Sequence, residues 1–166
     1  MACCSVGKKK ECIFCHIGDS VGARIVIETE QLVAFRDRSP SSQVHLLVIP
    51  KQHVRTVKDL DGGHVALCEL NHFYMLRVKT DRKRKVQDMV DLGKRLLKEQ
   101  GFNPEDATQT RLGFHVPPFN SVDHLHLHVM GLPFRGWKGL KYNQKYPWFV
   151  NAGTVLRRLG EGMSPV

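Results

Sequence analysis

Three histidines alternate with apolar residues in the run His-Leu-His-Leu-His-Val-Met over residues 124–130. Successive side chains of a β-strand point to opposite faces, so a strand here presents His124, His126 and His128 on one face. The intervening apolar residues form the other face and can pack on a core. Imidazole can donate, accept or attack near neutral pH, and packing alone rarely needs three in a row. The run therefore indicates catalytic chemistry.

Distance argues against one metal ion bound by all three side chains. A strand rises about 3.3 Å per residue, so the Cα atoms of His124 and His128 lie roughly 13 Å apart. Zinc–nitrogen bonds are only about 2.0–2.1 Å long. One straight strand can offer two adjacent histidines to an ion, but the row of three fits an extended array of acid, base and nucleophile better.

The composition is that of one globular domain. The chain has 166 residues, of which 42% are hydrophobic and 25% charged, which is enough for one core. The net charge of +9 favours anionic partners such as nucleotides, nucleic acid or acidic surfaces. The five cysteines show no disulfide framework, and no stretch approaches the ~20 apolar residues of a membrane span. We expect an intracellular protein without a membrane segment, cytoplasmic and also nuclear.

The order of elements predicts an α+β fold. Residues 1–11, with three lysines at 8–10, predict a disordered basic tail before a single domain over 12–166. Helical spacing predicts a helical middle segment that ends at Gly101 and a short last helix over 154–159. Alternation and turn residues predict strands at 24–28, 31–36, 44–49, 111–116 and 124–130. We expect a five-stranded antiparallel sheet with the three histidines on its exposed face.

A basic segment interrupts the helical middle of the chain. Over residues 77–85, rich in lysine and arginine, the apolar stripe lapses. A single helix from His64 to Gln100 would be unusually long for a small domain. The sequence therefore predicts a break or an exposed insertion over 77–85. The charges are typical of a solvated face and resemble a nuclear-localisation or nucleic-acid patch only weakly.

Other segments make the histidine run part of a larger pattern. The run matches the signature His-φ-His-φ-His-φ-φ at every position, where φ is apolar. It is accompanied by FRDRSP at 35–40, HLLVIPKQH at 45–53 and FHVPPF at 114–119. The chain thus resembles the histidine triad nucleotide-binding family from about Cys12 to Met130, with its HIT-like fold. The segment 114–119 resembles in particular the histidine triad nucleotide-binding protein 3 branch, which is close to aprataxin.

The resemblance implies a hydrolase of phosphorus–nitrogen bonds, an adenosine 5′-monophosphoramidase that also cleaves acyl-adenylates. In this family the middle triad histidine, here His126, attacks the α-phosphorus and forms a covalent nucleotidyl-histidine that water resolves. His128 is expected to contact the phosphate and to help protonate the leaving group. The matching positions His124 and His45 are expected to orient the nucleophile. Ser121 is expected to hydrogen-bond at the scissile bond.

The same resemblance assigns the binding of a purine nucleotide. Asp37 matches a carboxylate that accepts both ribose hydroxyls. The apolar slot around the base corresponds to Phe14, Ile17, Phe35 and Arg38. Arg38 departs from the aliphatic residue of better-known members, which leaves the base preference open.

A pair of cysteines, Cys12 and Cys15, raises the question of a metal. Some histidine triad proteins combine such a pair with two histidines, here His53 and His124, to hold structural zinc, and a Cys₂His₂ set suits that ion. His124 is also expected beside the nucleophile, so the sequence leaves the metal open. No cofactor is expected to be required for catalysis.

Two other functions remain open at this stage. One is an aprataxin-like hydrolase of adenylated DNA ends, mildly favoured by the basic charge but disfavoured because residues 131–166 hold no Cys₂His₂ finger. The other is a nucleotide-binding interaction protein in which hydrolysis is incidental. The resemblance also implies a homodimer or larger homo-oligomer, and nucleic acid is the less favoured partner.

Overall fold

The computed structural model describes residues 12–17, 24–60 and 72–166, with the backbone alone over 72–80. The predicted tail over 1–11 lies outside the described residues. Two short 3₁₀ helices span Val57–Leu60 and Gly136–Tyr142. The regular elements are β1 (Ile25–Glu28), β2 (Leu32–Arg36), β3 (Ser42–Pro50), α1 (His72–Glu99), β4 (Thr110–His115), β5 (Leu127–Phe134), β6 (Phe149–Asn151) and α2 (Ala152–Gly160). In these ranges no helix is long and apolar enough to span a membrane.

The six strands form one antiparallel sheet in the order β1-β2-β3-β5-β4-β6. The predicted α+β class is confirmed, and a strand lies at each of the five predicted places. The sixth strand, β6, pairs with β4 through His115 opposite Phe149. It has only three residues, which is too short for an alternating pattern to reveal it from the sequence.

The two faces of the sheet have different partners. On one face Leu46 of β3 and Val129 of β5 belong to the main core, which also contains residues of α1 and α2. Alternation then turns His45 and His128 to the opposite face, which we call the histidine face. The register places Leu47 directly opposite His128, so β3 and β5 bring the two histidines side by side.

Helix α1 is continuous over 28 residues, so the predicted break over 77–85 was wrong. Lysine and arginine have high helix propensity, and a charged segment can therefore stay helical where no apolar stripe holds it down. The side chains of Lys83 and Arg84 are exposed, as expected for a solvated face. The predicted apolar stripe after residue 85 is buried: Val86, Met89, Val90, Gly93, Leu96 and Leu97. Residues 64–71 of the expected helical region lie outside the described residues.

Two glycines set the position of α1. Gly101 has a φ of 84°, and the N–H of Phe102 donates to the Leu97 carbonyl, which ends the helix in a Schellman motif as predicted. A Cβ at Gly93 would lie 2.7 Å from Cγ2 of Val129. Glycine at this position therefore lets α1 pack directly behind the strand that carries His128.

Candidate functional site

The histidine run crosses the beginning of β5 and is only partly a strand. His128 lies within β5, whereas His124 and His126 precede its first residue, Leu127. The N–H of Leu125 donates to the carbonyl of Val54 at 2.6 Å, outside the sheet. The neighbouring strand β3 has already ended at Pro50. The prediction that all three histidines lie in one strand was therefore wrong for the first two.

The triad is also buried, so the prediction of an exposed histidine face was wrong. The relative exposures of His124, His126 and His128 are 0%, 7% and 5%. Aromatic rings cover them: Phe14 contacts His126 edge-on at 5.5 Å, and Tyr142 contacts His128 edge-on at 5.1 Å between ring centroids. Removal of water strengthens each electrostatic interaction within such a site.

A backbone carbonyl fixes the tautomer of His126. Its Nδ1–H donates to the carbonyl oxygen of His124 at 2.6 Å. Burial lowers the pKa of His126, and the hydrogen bond to the His124 carbonyl opposes this only in part. The ring is therefore neutral near pH 7 with a lone pair on Nε2, which is the state that a nitrogen nucleophile requires.

A chain of three groups fixes the tautomer of His128 in the opposite sense. The N–H of Ser41 donates to Nδ1 of His45 at 3.1 Å, so the proton of neutral His45 is on Nε2. That Nε2–H donates to Nδ1 of His128 at 2.9 Å, while Oδ2 of Asp37 lies 3.6 Å from the same nitrogen. The proton of His128 is therefore on Nε2.

Nε2 of His128 is a buried donor without a hydrogen-bond partner in the part of the chain that the structure describes. Buried polar groups are rarely left unpaired, so this N–H is suited to a ligand oxygen. The His126 ring lies 5.0 Å away between centroids. A lone pair on His126 and a donor on His128 thus lie side by side, as attack on a phosphorus and binding of its oxygen require.

The residues expected to bind the nucleoside come together beside this pair. Phe14 contacts Phe35 edge-on at 5.4 Å, and Ile17 packs on the same small apolar cluster of β2 and β3. The side chain of Asp37 is 17% exposed, and its Oδ1 accepts the N–H of Ser39 at 2.7 Å. Arg38 is exposed next to it. These positions form an apolar wall that ends in a carboxylate.

Ser121 is not hydrogen-bonded to the histidines of the site. It is exposed in the loop between β4 and β5, and its hydroxyl makes no hydrogen bond in the described residues. Its neighbour Asn120 is held instead, through donation to Oδ1 of Asp123 at 2.8 Å.

A second cluster lies on the other side of His124. Ligand atoms of Cys12, Cys15, His53 and His124 lie within 4.8 Å of one another. Sγ of Cys12 is 3.4 Å from Nδ1 of His124, and Sγ of Cys15 is 3.2 Å from Nδ1 of His53. Nε2–H of His124 donates to the carbonyl of Pro50 at 2.8 Å, which leaves its Nδ1 lone pair toward the thiols. Such a backing hydrogen bond is typical of a metal-binding histidine.

The structure adds His115 and Tyr142 to the site, and sequence reasoning missed both. The His115 ring lies 4.8 Å from that of His128, perpendicular to it, and 5.2 Å from that of Tyr142. One signal in the sequence could have found His115. In the predicted strand 111–116, His115 alternates with the buried residues Leu112 and Phe114. Its side chain therefore points to the opposite face of the sheet, which is the histidine face.

Comparisons with known proteins agree with this architecture. A family model described as "Scavenger mRNA decapping enzyme C-term binding" matches residues 11–142. The bifunctional adenosine 5′-phosphosulfate phosphorylase/adenylylsulfatase HINT4 of Arabidopsis thaliana is 38% identical over 96% of this chain and 99% of its own length. The adenosine 5′-monophosphoramidase HINT3 of Mus musculus is 35% identical over 89% of this chain and 81% of its own.

Solved structures show the same fold. The HIT family hydrolase from Legionella pneumophila Philadelphia 1 is 29% identical, covers 76% of this chain and 96% of its own, and has a TM-score of 0.56. The family model matches most of the chain, and the relatives align over nearly all of it. The chain therefore belongs to the histidine triad family.

Proposed function

We propose that this protein hydrolyses adenosine 5′-phosphoramidates and acyl-adenylates through a covalent adenylyl-histidine on His126. The observation that carries the proposal is the pair of fixed tautomers, with a free Nε2 lone pair on His126 beside an unpaired Nε2–H on His128. A relative of 35% identity is named adenosine 5′-monophosphoramidase, which supports the same substrate class.

The residues suggest a reaction in two displacements. Nε2 of His126 attacks the α-phosphorus, and the bond from phosphorus to the leaving group breaks. Nε2–H of His128 donates to a phosphate oxygen, where negative charge is held in the transition state. Asp37 lies near enough to His45 to stabilise its donated hydrogen bond to His128. Water then attacks the adenylyl-histidine and releases AMP.

The apolar wall that ends in the carboxylate of Asp37 explains why the substrate is a nucleoside monophosphate rather than a simple phosphate. Phe14 contacts both Phe35 of the wall and the ring of His126, so the base slot and the nucleophile share one side chain. The carboxylate of Asp37 can accept ribose hydroxyls at the other end. Binding energy from the nucleoside can therefore orient the phosphorus on His126.

Adenosine 5′-phosphosulfate is a second candidate substrate. A relative of 38% identity that aligns over 99% of its own length is named a phosphosulfate phosphorylase and adenylylsulfatase. Cleavage of its phosphorus–oxygen bond would use the same attack by His126, with sulfate in place of the amine as leaving group.

The test is to trap the intermediate and to compare substrates. Purified protein is mixed rapidly with acyl-adenylate, quenched, digested and mapped by mass spectrometry, and the adenylyl group is expected on His126. His126→Ala is expected to lose turnover by at least about 10⁴-fold while still binding AMP. An adduct on His124 or His128, or near-normal turnover of His126→Ala, would refute the mechanism. Phosphoramidate, phosphosulfate and adenylated DNA are compared as substrates in parallel.

We further propose that the Cys₂His₂ cluster holds a structural zinc ion. The donors are two thiols and two imidazoles, their ligand atoms all lie within 4.8 Å of one another, and His124 donates its other ring N–H to the Pro50 carbonyl. This set suits tetrahedral zinc. Bound zinc would tie the turn that carries Phe14 to the segment that carries His126, and no step of the reaction needs it.

A further inference from the structure

An amine leaving group must take up a proton, and neither His128 nor His126 is suited to supply it. His128 is close enough but is ill suited to the task. To act as an acid it would have to be protonated on both nitrogens, and its Nδ1–H would then face Nε2–H of His45 at 2.9 Å. His45 cannot move its proton to Nδ1, because the N–H of Ser41 occupies that position. His128 is therefore a neutral donor of hydrogen bonds.

His126 cannot supply the proton either, because a proton on its Nε2 would remove the nucleophile. His115 differs from both of these rings. Its Nδ1–H donates to the carbonyl of Trp148 at 3.2 Å, which leaves Nε2 as the nitrogen that gains and loses a proton. The His115 side chain makes no other hydrogen bond in the described residues. Protonation of Nε2 therefore displaces no donor and keeps the bond to Trp148.

The position of His115 suits this task. It lies at the end of β4 on the histidine face, with its ring 4.8 Å from His128, and it lines one narrow cleft together with His126 and Asn120. We propose that His115 is the proton donor and acceptor of the reaction, an inference that rests on the proposed attack by His126.

The proton balance closes over the two steps. In the first step the Nε2 lone pair of His126 forms the nitrogen–phosphorus bond, and the bond from phosphorus to the amine nitrogen breaks. That nitrogen keeps the electron pair, takes the proton from Nε2 of His115 and leaves as a neutral amine. In the second step water gives one proton to Nε2 of His115, its oxygen bonds to phosphorus, and the pair of the broken nitrogen–phosphorus bond returns to His126.

The surroundings of His115 act on its pKa in opposite directions. Burial lowers its pKa, and the hydrogen bond to the Trp148 carbonyl partly offsets this. An ideal acid–base group titrates near the working pH. The titratable and charged groups around it on neighbouring elements are Asp37, His45, His126, His128, Lys141 and Tyr142. Asp37 favours its protonated form and Lys141 opposes it.

His115→Asn is the sharpest test, because the asparagine amide can keep the donor to Trp148 and has no counterpart of Nε2. We expect the first step with the alkylamine phosphoramidate of AMP, measured as amine release in a single turnover, to slow about 10²–10⁴-fold. For the p-nitrophenyl ester of AMP, whose leaving group departs as an anion, the loss in the same first-step rate should stay below about tenfold. The first step alone is compared, because the second step uses His115 with every substrate. In the wild type, the rate with the alkylamine substrate should fall as rising pH deprotonates one group, and this ionisation should be absent from the variant.

His128→Asn is the contrasting variant, and it should slow both substrates by a similar factor. Exogenous imidazole should restore part of the alkylamine rate in His115→Asn. Equal losses for both substrates in His115→Asn, or an unchanged pH profile, would overturn the proposal. His115→Gln repeats the comparison if the asparagine variant does not fold. The ester is expected to form the His126 adduct in the wild type and in His115→Asn. A missing adduct would refute the proposed function. An adduct that forms without selectivity between the two leaving groups would refute only the role of His115.

Discussion

His45 and His128 share one hydrogen bond, from Nε2–H of His45 to Nδ1 of His128 at 2.9 Å, and a backbone amide decides its direction. Because the N–H of Ser41 can only donate, His45 must accept on Nδ1 and donate on Nε2. The protonation state of a buried site is thus set by main-chain geometry. As a consequence, neither His45 nor His128 can take up a second proton without losing a hydrogen bond.

This pair predicts a specific loss of stability in acid. Burial lowers the pKa of His45 from 6.5 to about 4, the nearby Asp37 carboxylate only partly opposing this. Between these values the unfolded chain binds more protons than the folded one, so the free energy of unfolding falls as the pH drops from about 6.5 to about 4. The contribution of His45 is on the order of 3 kcal/mol. Urea unfolding at a series of pH values measures it.

His45→Gln is the control for this prediction. Glutamine can still accept from Ser41 or donate to His128 but does not titrate. The variant is expected to be less stable at pH 7 and to show a shallower dependence on pH between 6.5 and 4. A slope equal to that of the wild type would show that His45 does not cause the acid sensitivity.

The cysteine cluster predicts a metal-dependent stability. Cys12→Ser and Cys15→Ser should each lose about one equivalent of bound zinc, measured by elemental analysis of the purified protein. Loss of a ligand that binds only the folded state, present at about 100 times its Kd, costs about 2.7 kcal/mol, so the melting temperature should fall. His16→Asn, next to Cys15 but outside the cluster, is the matched control. Wild-type zinc content in both serine variants would contradict the assignment.

The prediction that His126 is the nucleophile rests on local evidence in the sequence. Alternation alone puts His126 between two imidazoles, and the early segments around Asp37 and His45 supply the matching half of the site. The antiparallel sheet likewise follows from short alternating runs. These pieces are joined by the pairing of β3 with β5, which places Leu47 opposite His128. No local sequence pattern specifies this pairing.

The parts that the sequence could not predict depend on tertiary contacts. Burial of the triad requires Tyr142 to fold back from a 3₁₀ helix in a segment without any period. The direction of each histidine proton depends on carbonyls and amides of distant residues, such as Trp148 for His115. The second half of α1 packs on the main core, and this packing supports a continuous helix through the basic segment, whose residues have high helix propensity but no apolar stripe.

The basic face of α1 is predicted to be separate from catalysis. Arg82–Lys85 lie in the helical segment where Arg84 pairs with Asp81 at 2.7 Å and Lys85 donates to Gln52 at 2.8 Å. These contacts are exposed, and such pairs contribute at most about 1 kcal/mol. Neutralising all four cations to glutamine should leave kcat/KM for a small phosphoramidate within about twofold.

Binding to heparin or single-stranded DNA should weaken in the same variant, and more so at low salt. Neutralising Lys94, Arg95 and Lys98, later on the same helix, tests whether the effect belongs to Arg82–Lys85. A large loss of phosphoramidate turnover in the Arg82–Lys85 variant would mean that this segment belongs to the site.

The contact between β4 and β6 gives the last prediction. Gly113 lies opposite His128 in the sheet, and a Cβ there would collide with the backbone oxygen of Val150 and lie 2.6 Å from the Phe149 ring. Because a backbone atom cannot rotate away, Gly113→Ala must push β6 outward, with a cost of about 1–3 kcal/mol in the free energy of unfolding. The same shift moves the neighbouring carbonyl of Trp148, which orients His115.

Gly113→Ala is therefore expected to slow single-turnover release of the alkylamine from its phosphoramidate more than release of p-nitrophenolate from the ester, at a temperature where the variant is fully folded. Thermal unfolding and the two rates measured on one preparation check this. Gly153→Ala is the matched control, since its Cβ would approach only Oδ1 of Asn151, at 3.1 Å. A shift confined to His115 slows the first step only for the substrate whose leaving group needs a proton. Equal loss of both rates in Gly113→Ala would therefore mean that the displaced β6 disturbs the other histidines of the site as well.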